Sequence, residues 1–114
     1  MSKIIIILLF TFITSNAFAF GSINDAKITK IRVDGNGHAM IFFDKDKTRE
    51  PATCVHSAYV RAFGIDASTD GGKAVLSMAL AAKATGTLVV AHGKGICGVY
   101  GGSVIETWDH GFIK

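Results

Sequence analysis

The sequence predicts a small domain that is mainly β with one α-helix. Short segments rich in β-branched and aromatic residues alternate with turns of glycine, asparagine and charged residues, a pattern typical of paired strands. One alanine-rich segment, 72–86, changes to helical spacing and ends at a glycine. Because the strands around it are joined mostly by tight turns, we expect an antiparallel sheet that curls into a small, partly open barrel.

Three strands are predicted before the helix. Residues 26–33 and 38–44 form the first two, since the turn DGNG at 34–37 supplies the residues that hairpin turns require. The charged segment 44–51 ends in the single proline and is expected to be an exposed loop. Residues 53–65 form the third strand.

The helix is predicted over 72–86, after the N-cap oxygens that residues 68–70 offer and before its glycine stop. Its surface outside the core-facing stripe is mostly alanine and serine. A helix with so few charges is either covered within its own domain or packed against copies of itself. The stripe expected to face the core comprises Val75, Leu76, Ala79 and Leu80.

The chain after the helix is predicted to return to the sheet. Residues 87–92 form a strand, 96–100 come back after a glycine turn, and 103–108 form the last strand. A single helix inserted after the third strand is the layout of the OB-fold, and the sequence therefore predicts an OB-fold-like barrel.

The N-terminus has the three parts of a secretory signal peptide. Lys3 is followed by an apolar run over 4–13 and by the small-residue site Ala17-Phe18-Ala19. The run is shorter than the roughly 20 residues that a membrane-spanning helix needs. We expect cleavage after Ala19, so that residues 1–19 are removed, residues 20–114 form one domain, and the protein is secreted or periplasmic.

The chain contains two cysteines, Cys54 and Cys97. In an oxidising compartment an even pair in a small domain indicates a disulfide. One connectivity is possible, so we expect Cys54–Cys97 to join the third strand to the penultimate one. A metal site is the competing interpretation, but His56, His92 and His110 lack the spacing of a C-x-x-C or H-x-x-x-H ligand set.

Composition gives little support to catalysis or to nucleic-acid binding. An enzyme needs a nucleophile with its base, paired carboxylates or a metal cluster, whereas the nine acidic residues occur as scattered single residues. The segments HGKG at 92–95 and YGG at 100–102 lack the spacing of a phosphate-binding loop. The net charge of +3 is too weak to indicate nucleic acid. We expect a non-enzymatic protein that needs no cofactor.

Aromatic residues in polar surroundings are the candidates for a binding site. A pyranose places its apolar C–H face on Tyr or Trp and hydrogen-bonds its hydroxyls to Asp, His or backbone groups. The alternative is structural: the tryptophan caps the core and the tyrosine packs against the disulfide. The candidate ligand-binding residues are Tyr100, Trp108, Asp109 and His110.

The segment AKATGTLVVAHGKGICGVYGGSVIETW, residues 82–108, and the helix pattern GKAxLSxxLAAKAxG at 72–86 carry a resemblance. Together with the signal peptide, the central helix and the distant cysteines, they resemble the B subunits of bacterial AB5 toxins. Both the cholera or heat-labile enterotoxin type and the subtilase-cytotoxin or pertussis type are similar. The chain also resembles small uncharacterised exported proteins of Gram-negative bacteria.

The resemblance implies a homopentamer whose helices line a pore, sugar binding at loop ends, and a toxin A subunit as a partner. In the enterotoxin type, an aromatic residue just beyond the second cysteine stacks on galactose, and Tyr100 is the nearest position here. We therefore expect a carbohydrate-binding module. The alternative is a monomeric periplasmic inhibitor or envelope protein with a protein partner, for which Trp108 is a hot-spot candidate.

Overall fold

The computed structural model describes residues 20–48 and 52–114. The predicted signal peptide, 1–19, lies outside these residues, as does part of the predicted loop over 44–51. Within them the chain is mainly β with one helix, as predicted. The elements are β1 (Ser22–Ala26), β2 (Ile28–Val33), β3 (His38–Phe43), a 3-10 turn (Ser57–Tyr59), β4 (Ala62–Asp66), α1 (Asp70–Thr85), β5 (Val89–Gly93) and β6 (Trp108–Ile113).

The strands form two three-stranded antiparallel sheets, in the orders β1-β5-β6 and β2-β3-β4. Lys27 alone separates β1 from β2, so one nearly continuous segment contributes to both sheets. On the other side, Gly64 of β4 forms an isolated parallel bridge with Thr107, and its N–H donates to the carbonyl of Glu106 at 2.8 Å. This single bridge connects the sheets but does not close them into a barrel.

The first hairpin forms as predicted, with β2 paired to β3 and the Gly37 N–H donating to the Asp34 carbonyl at 3.0 Å. Three other strand predictions need correction. The third strand begins at Ala62 and not at residue 53, the segment 96–100 is a turn, and the last strand is Trp108–Ile113 instead of 103–108. The last strand is displaced because Val89–Gly93 takes the C-terminal residues as its partner.

Helix α1 begins and ends where its caps predict. The Thr69 Oγ1 accepts a hydrogen bond from the Gly72 N–H at 3.0 Å, and Gly86 ends the helix in the left-handed conformation. Ala79 is buried in the main core. The prediction for Leu80 was wrong, since 53% of this residue is exposed; it lies about 100° around the helix from Ala79.

The buried residues form a main core and a smaller outer cluster. The main core includes Ile23, Ile41, Phe63 and Val89 and lies between the sheets and the helix. The outer cluster comprises Met40, Ala62 and Ile105, with Phe42, Tyr59, Tyr100 and Val104 packed against it. The predicted disulfide Cys54–Cys97 is present, with a Cα–Cα distance of 6.2 Å. Both cysteines lie in loops, so the disulfide joins the loops after β3 and β5 instead of two strands.

Candidate functional site

A groove of about 410 Å³ lies between the start of α1 and the chain around the start of β6. We call it the helix groove. Apolar side chains and polar groups share its lining, which is the composition of small-molecule sites. The lining residues are Ile65, Asp66, Thr69, Gly71, Gly72, Val75, Lys94, Val99, Thr107, Trp108 and Asp109.

Trp108 lines the helix groove but also belongs to the main core. Its ring meets that of Phe63 edge to face, with centroids 6.0 Å apart and an angle of 87° between planes. Only 6% of the residue is exposed. Trp108 therefore contributes an apolar edge to the groove and offers no open ring face on which a sugar could stack.

Asp109 and His110 follow Trp108 in β6 and are both exposed. The Nδ1 of His110 lies 2.6 Å from the Oδ2 of Asp109. The second carboxylate oxygen of Asp109 has no hydrogen bond to any residue in 20–48 or 52–114. It is thus available to accept a hydrogen bond from a ligand hydroxyl.

Asp66 supplies a second carboxylate at the other wall of the helix groove. Its Oδ1 accepts from the N–H of Ser68 at 3.0 Å and from the hydroxyl of the same residue at 2.5 Å. These hydrogen bonds hold the pKa of Asp66 below its usual value. A carboxylate that stays ionised can accept hydrogen bonds but cannot donate a proton as a general acid.

Glu106 directly precedes Thr107 and Trp108, which line the helix groove. It is completely buried, and its carboxylate accepts from three backbone N–H groups that come from distant parts of the chain. Gly21 donates to both oxygens at 3.1 and 2.9 Å, Ala52 donates at 3.1 Å, and Gly95 donates at 3.2 Å. The carboxylate therefore fixes the start of β1, the loop before Cys54 and the turn after β5 relative to one another.

Lys47 is the counter-charge of Glu106. Its Nζ lies 3.7 Å from the Oε1 of Glu106 and 4.5 Å from the ring centre of Phe63, and 1% of the side chain is exposed. Within the described part of the chain this ammonium group has no hydrogen-bond acceptor. Burial lowers the pKa of Lys47 to about 8, although the carboxylate opposes that shift.

Gly93 makes room for this buried ion pair. A Cβ atom at this position would collide with the Oε2 of Glu106, which approaches the β5 backbone directly. The same carboxylate anchors Gly95, and Lys94 lies between these two glycines and lines the groove. The position of Lys94 thus depends on Glu106.

Tyr100 lies apart from the helix groove and packs against the outer cluster. Its hydroxyl donates to the Oδ2 of Asp34 at 2.7 Å, and its ring meets His38 edge to face at 5.3 Å. Burial and this hydrogen bond raise the pKa of Tyr100. The same hydrogen bond is the main cause that lowers the pKa of Asp34, and a hydrogen bond from Arg32 is the second cause. Tyr100 thereby joins the disulfide loop to the first hairpin.

The structure thus brings together Trp108 and Asp109 of the sequence candidates, with His110 beside them and Tyr100 elsewhere. Sequence reasoning missed Asp66, Thr69 and Lys94, which come from three other segments. The pair Lys47 and Glu106 was also missed. The glycines on both sides of Lys94 were the available signal, because closely spaced glycines indicate that other groups approach the backbone.

Comparisons with protein-family models, with curated proteins and with solved structures found no match to this chain. Among the described residues, no helix is both long and apolar enough to cross a membrane. The same part of the chain contains no group of three or more His, Cys, Asp or Glu side chains that could hold a metal ion. Any function must therefore be argued from the geometry of the site.

Proposed function

We propose that this chain is an exported, non-enzymatic module with an OB-fold-like architecture that binds a carbohydrate in the helix groove. The helix groove itself is the observation that carries the proposal. It combines an apolar lining from Val75, Val99 and Trp108 with carboxylates on two walls. Sugars need apolar contact for their C–H groups and acceptors for their hydroxyls, and both are present within one groove.

The connections between the strands support the OB-fold-like part of the proposal. In that fold a five-stranded Greek-key barrel stays partly open. Here β1 and β2 act as one bent strand shared by the two sheets, the single helix follows β4, and a parallel contact links β4 to the segment before β6. The disulfide supports export, because such bonds persist in oxidising compartments.

Two features favour binding over catalysis. Ser22 and His92 are hydrogen-bonded at 2.8 Å, which is the contact of a nucleophile with its base. Ser22 is only 2% exposed, however, so a substrate cannot reach its hydroxyl. A glycosidase would need a general acid whose pKa is raised, whereas hydrogen bonds from Ser68 lower the pKa of Asp66.

The outward face of α1 supports the homopentamer that the AB5 resemblance implies. Ala74, Ser77, Ala81 and Ala84 are exposed, and Leu80 among them is 53% exposed. Small side chains allow helices to approach closely, and an exposed leucine gains from burial between subunits. Sedimentation of residues 20–114 should give about five times the monomer mass, and a monomer at all concentrations would contradict the ring and the A-subunit partnership built on it.

Edge strand β6 favours the alternative of a monomeric periplasmic inhibitor or envelope protein. Phe112 is 52% and Ile113 37% exposed on this strand, which among the described strands pairs only with β5 and lies at the edge of its sheet. An apolar edge strand can pair with a strand of another protein. Crosslinking in periplasmic extract, with Phe112→Ser as the control, would then capture a protein that the variant does not.

A glycan array, followed by titrations of residues 20–114 with free sugars, tests the carbohydrate proposal. Trp108 is the single tryptophan of the chain and lies in the groove, so its fluorescence reports occupancy directly. We expect Asp109→Asn to weaken binding at least about tenfold, because a charge-assisted hydrogen bond is worth about 1.5–3 kcal/mol. Asp46→Asn is the matched control: this carboxylate pairs with Arg61 and is not part of the groove lining. No binding by any glycan would overturn the proposal.

A further inference from the structure

A second groove, of about 400 Å³, borders the helix groove. We call it the strand groove; its lining comprises Phe20, Gly93, Lys94, Ile96, Asp109 and His110. Lys94 and Asp109 line both grooves. The two grooves are therefore neighbouring compartments on either side of the same two charged side chains.

The strand groove offers groups that suit a sugar, although one of them, the His110 ring, also stacks on His92 with centroids 4.6 Å apart. Ile96 is 57% exposed, one of the largest exposures of any large apolar residue in the described chain. The Nδ1 of His110 is held by Asp109 at 2.6 Å, and no other hydrogen bond of this imidazole occurs among the described residues. Its Nε2 is therefore available to a ligand. Lys94 likewise has no ion pair within residues 20–48 and 52–114.

Because Lys94 and Asp109 line both grooves, they favour one long ligand that fills both grooves over two separate ligands. Each groove has a volume near the lower end of the range of about 300–1,000 Å³ for small-molecule sites. Two independent ligands would compete for the same ammonium and carboxylate groups. A single chain of sugars that crosses between Lys94 and Asp109 would instead hydrogen-bond to both of them once and fill both grooves.

We propose that the strand groove is a second sugar subsite, so that the protein recognises an oligosaccharide of two or more residues and not a monosaccharide. This rests on the proposed function of the helix groove. One sugar occupies the helix groove against Val75 and Trp108. The next sugar lies in the strand groove against Ile96 and His110, with the glycosidic linkage near Lys94 and Asp109.

Chain length tests the proposal. The probes are the mono-, di- and trisaccharides of a printed array that share one terminal sugar. Each is then titrated into the protein in free form, and Trp108 fluorescence measures its binding. We expect the dissociation constant to fall at least about tenfold from the monosaccharide to the best longer glycan, which corresponds to about 1.4 kcal/mol. Ile96→Ser should remove most of this gain and leave monosaccharide binding unchanged, because Ile96 lines the strand groove and not the helix groove.

Val33→Ser is the matched control for Ile96→Ser, because Val33 is 58% exposed, branched at Cβ and outside both grooves. It should bind every glycan as the unaltered protein does. Equal affinity for all chain lengths would overturn the second subsite while leaving the proposed function intact. An equal loss at every length in Ile96→Ser would overturn it as well. Failure of all glycans to bind would instead overturn the proposed function, and the subsite with it.

Discussion

Two adjacent residues, Ile105 and Glu106, belong to regions that are held together by different means. Ile105 packs in the outer cluster together with Tyr100, which belongs to one of the two loops that the disulfide Cys54–Cys97 joins. Glu106 lies beside the main core, where three backbone N–H groups and Lys47 surround its carboxylate. One region depends on a covalent bond and the other on a buried charge.

This difference determines how each region should respond when the disulfide or the buried charge is removed. A disulfide stabilises largely by restricting the unfolded chain, so its loss can leave the native contacts in place. A buried carboxylate acts within the folded state, and removing its charge leaves partners that water cannot reach. The helix groove takes Lys94, Thr107 and Trp108 from the second region and Val99 from the disulfide loop, so it should be more sensitive to Glu106 than to the disulfide.

Glu106→Gln should have the largest effect on stability. The substitution keeps the shape of the side chain but leaves the Lys47 ammonium buried without its counter-charge, and breaking such a pair costs about 3–5 kcal/mol. Urea unfolding followed by circular dichroism measures the loss. The double variant Glu106→Gln with Lys47→Met should be more stable than the single variant, because no unpaired charge remains. A single variant within about 1 kcal/mol of the unaltered protein would contradict the assigned role.

Replacing both cysteines by alanine should cost somewhat less, about 2–4 kcal/mol, for a closed loop of this size. In the folded variant the fluorescence of Trp108 should stay unchanged, since the groove is anchored by Glu106. The reduced form of the unaltered protein is the control. It should unfold at the same urea concentration as the variant that lacks both cysteines. A shifted Trp108 spectrum in the folded variant would show that the disulfide also shapes the groove.

The helix, the first hairpin and the disulfide could be predicted because their signals are local or leave one solution. Thr69 and Gly86 mark the ends of α1 by their own side-chain and backbone properties. The turn at 34–37 specifies its hairpin in the same way. Two cysteines permit one pairing.

The last strand and the buried carboxylate could not be predicted, because distant partners determine both. Trp108–Ile113 is a strand since Val89–Gly93 pairs with it, and its sequence is no more strand-like than that of 96–100. Glu106 resembles any isolated surface acid in the sequence. Its three backbone donors lie 85, 54 and 11 residues away, so no local pattern marks it as buried.

Raising the pH should sharpen the comparison, because Lys47 of the Glu106 region titrates at a lower pH in the folded than in the unfolded protein. The pKa of Lys47 is about 8 in the folded protein and about 10.5 when unperturbed, so the unfolded chain binds more protons between these values. Stability must therefore rise with pH in this window. We expect a gain of about 2 kcal/mol between about pH 7 and pH 9.5. Lys47→Met should abolish the gain, and an equal rise in that variant would refute the assignment.

Tyr100→Phe should give the smallest effect, because it removes one hydrogen bond at the edge of the outer cluster. The ring keeps its packing, and Asp34 keeps Arg32 at 2.9 Å, so a loss of about 1 kcal/mol is expected. Tyr59→Phe is the matched control. That ring packs against the same cluster, but its hydroxyl has no hydrogen-bond partner among the described residues.

The pH dependence of Tyr100→Phe shows whether the Tyr100 hydroxyl acts through the charge on Asp34. The bond is the main cause that lowers the pKa of Asp34 in the folded protein. A carboxyl group with a lowered folded-state pKa contributes stability that is present at neutral pH and disappears as acid protonates it. The difference between Tyr100→Phe and the unaltered protein in urea unfolding should therefore shrink below about pH 4, near the ordinary pKa of aspartate. A difference that stays constant down to acid pH would mean that the Tyr100 hydroxyl contributes independently of the charge on Asp34, and that the disulfide loop is not joined to the hairpin by a charge.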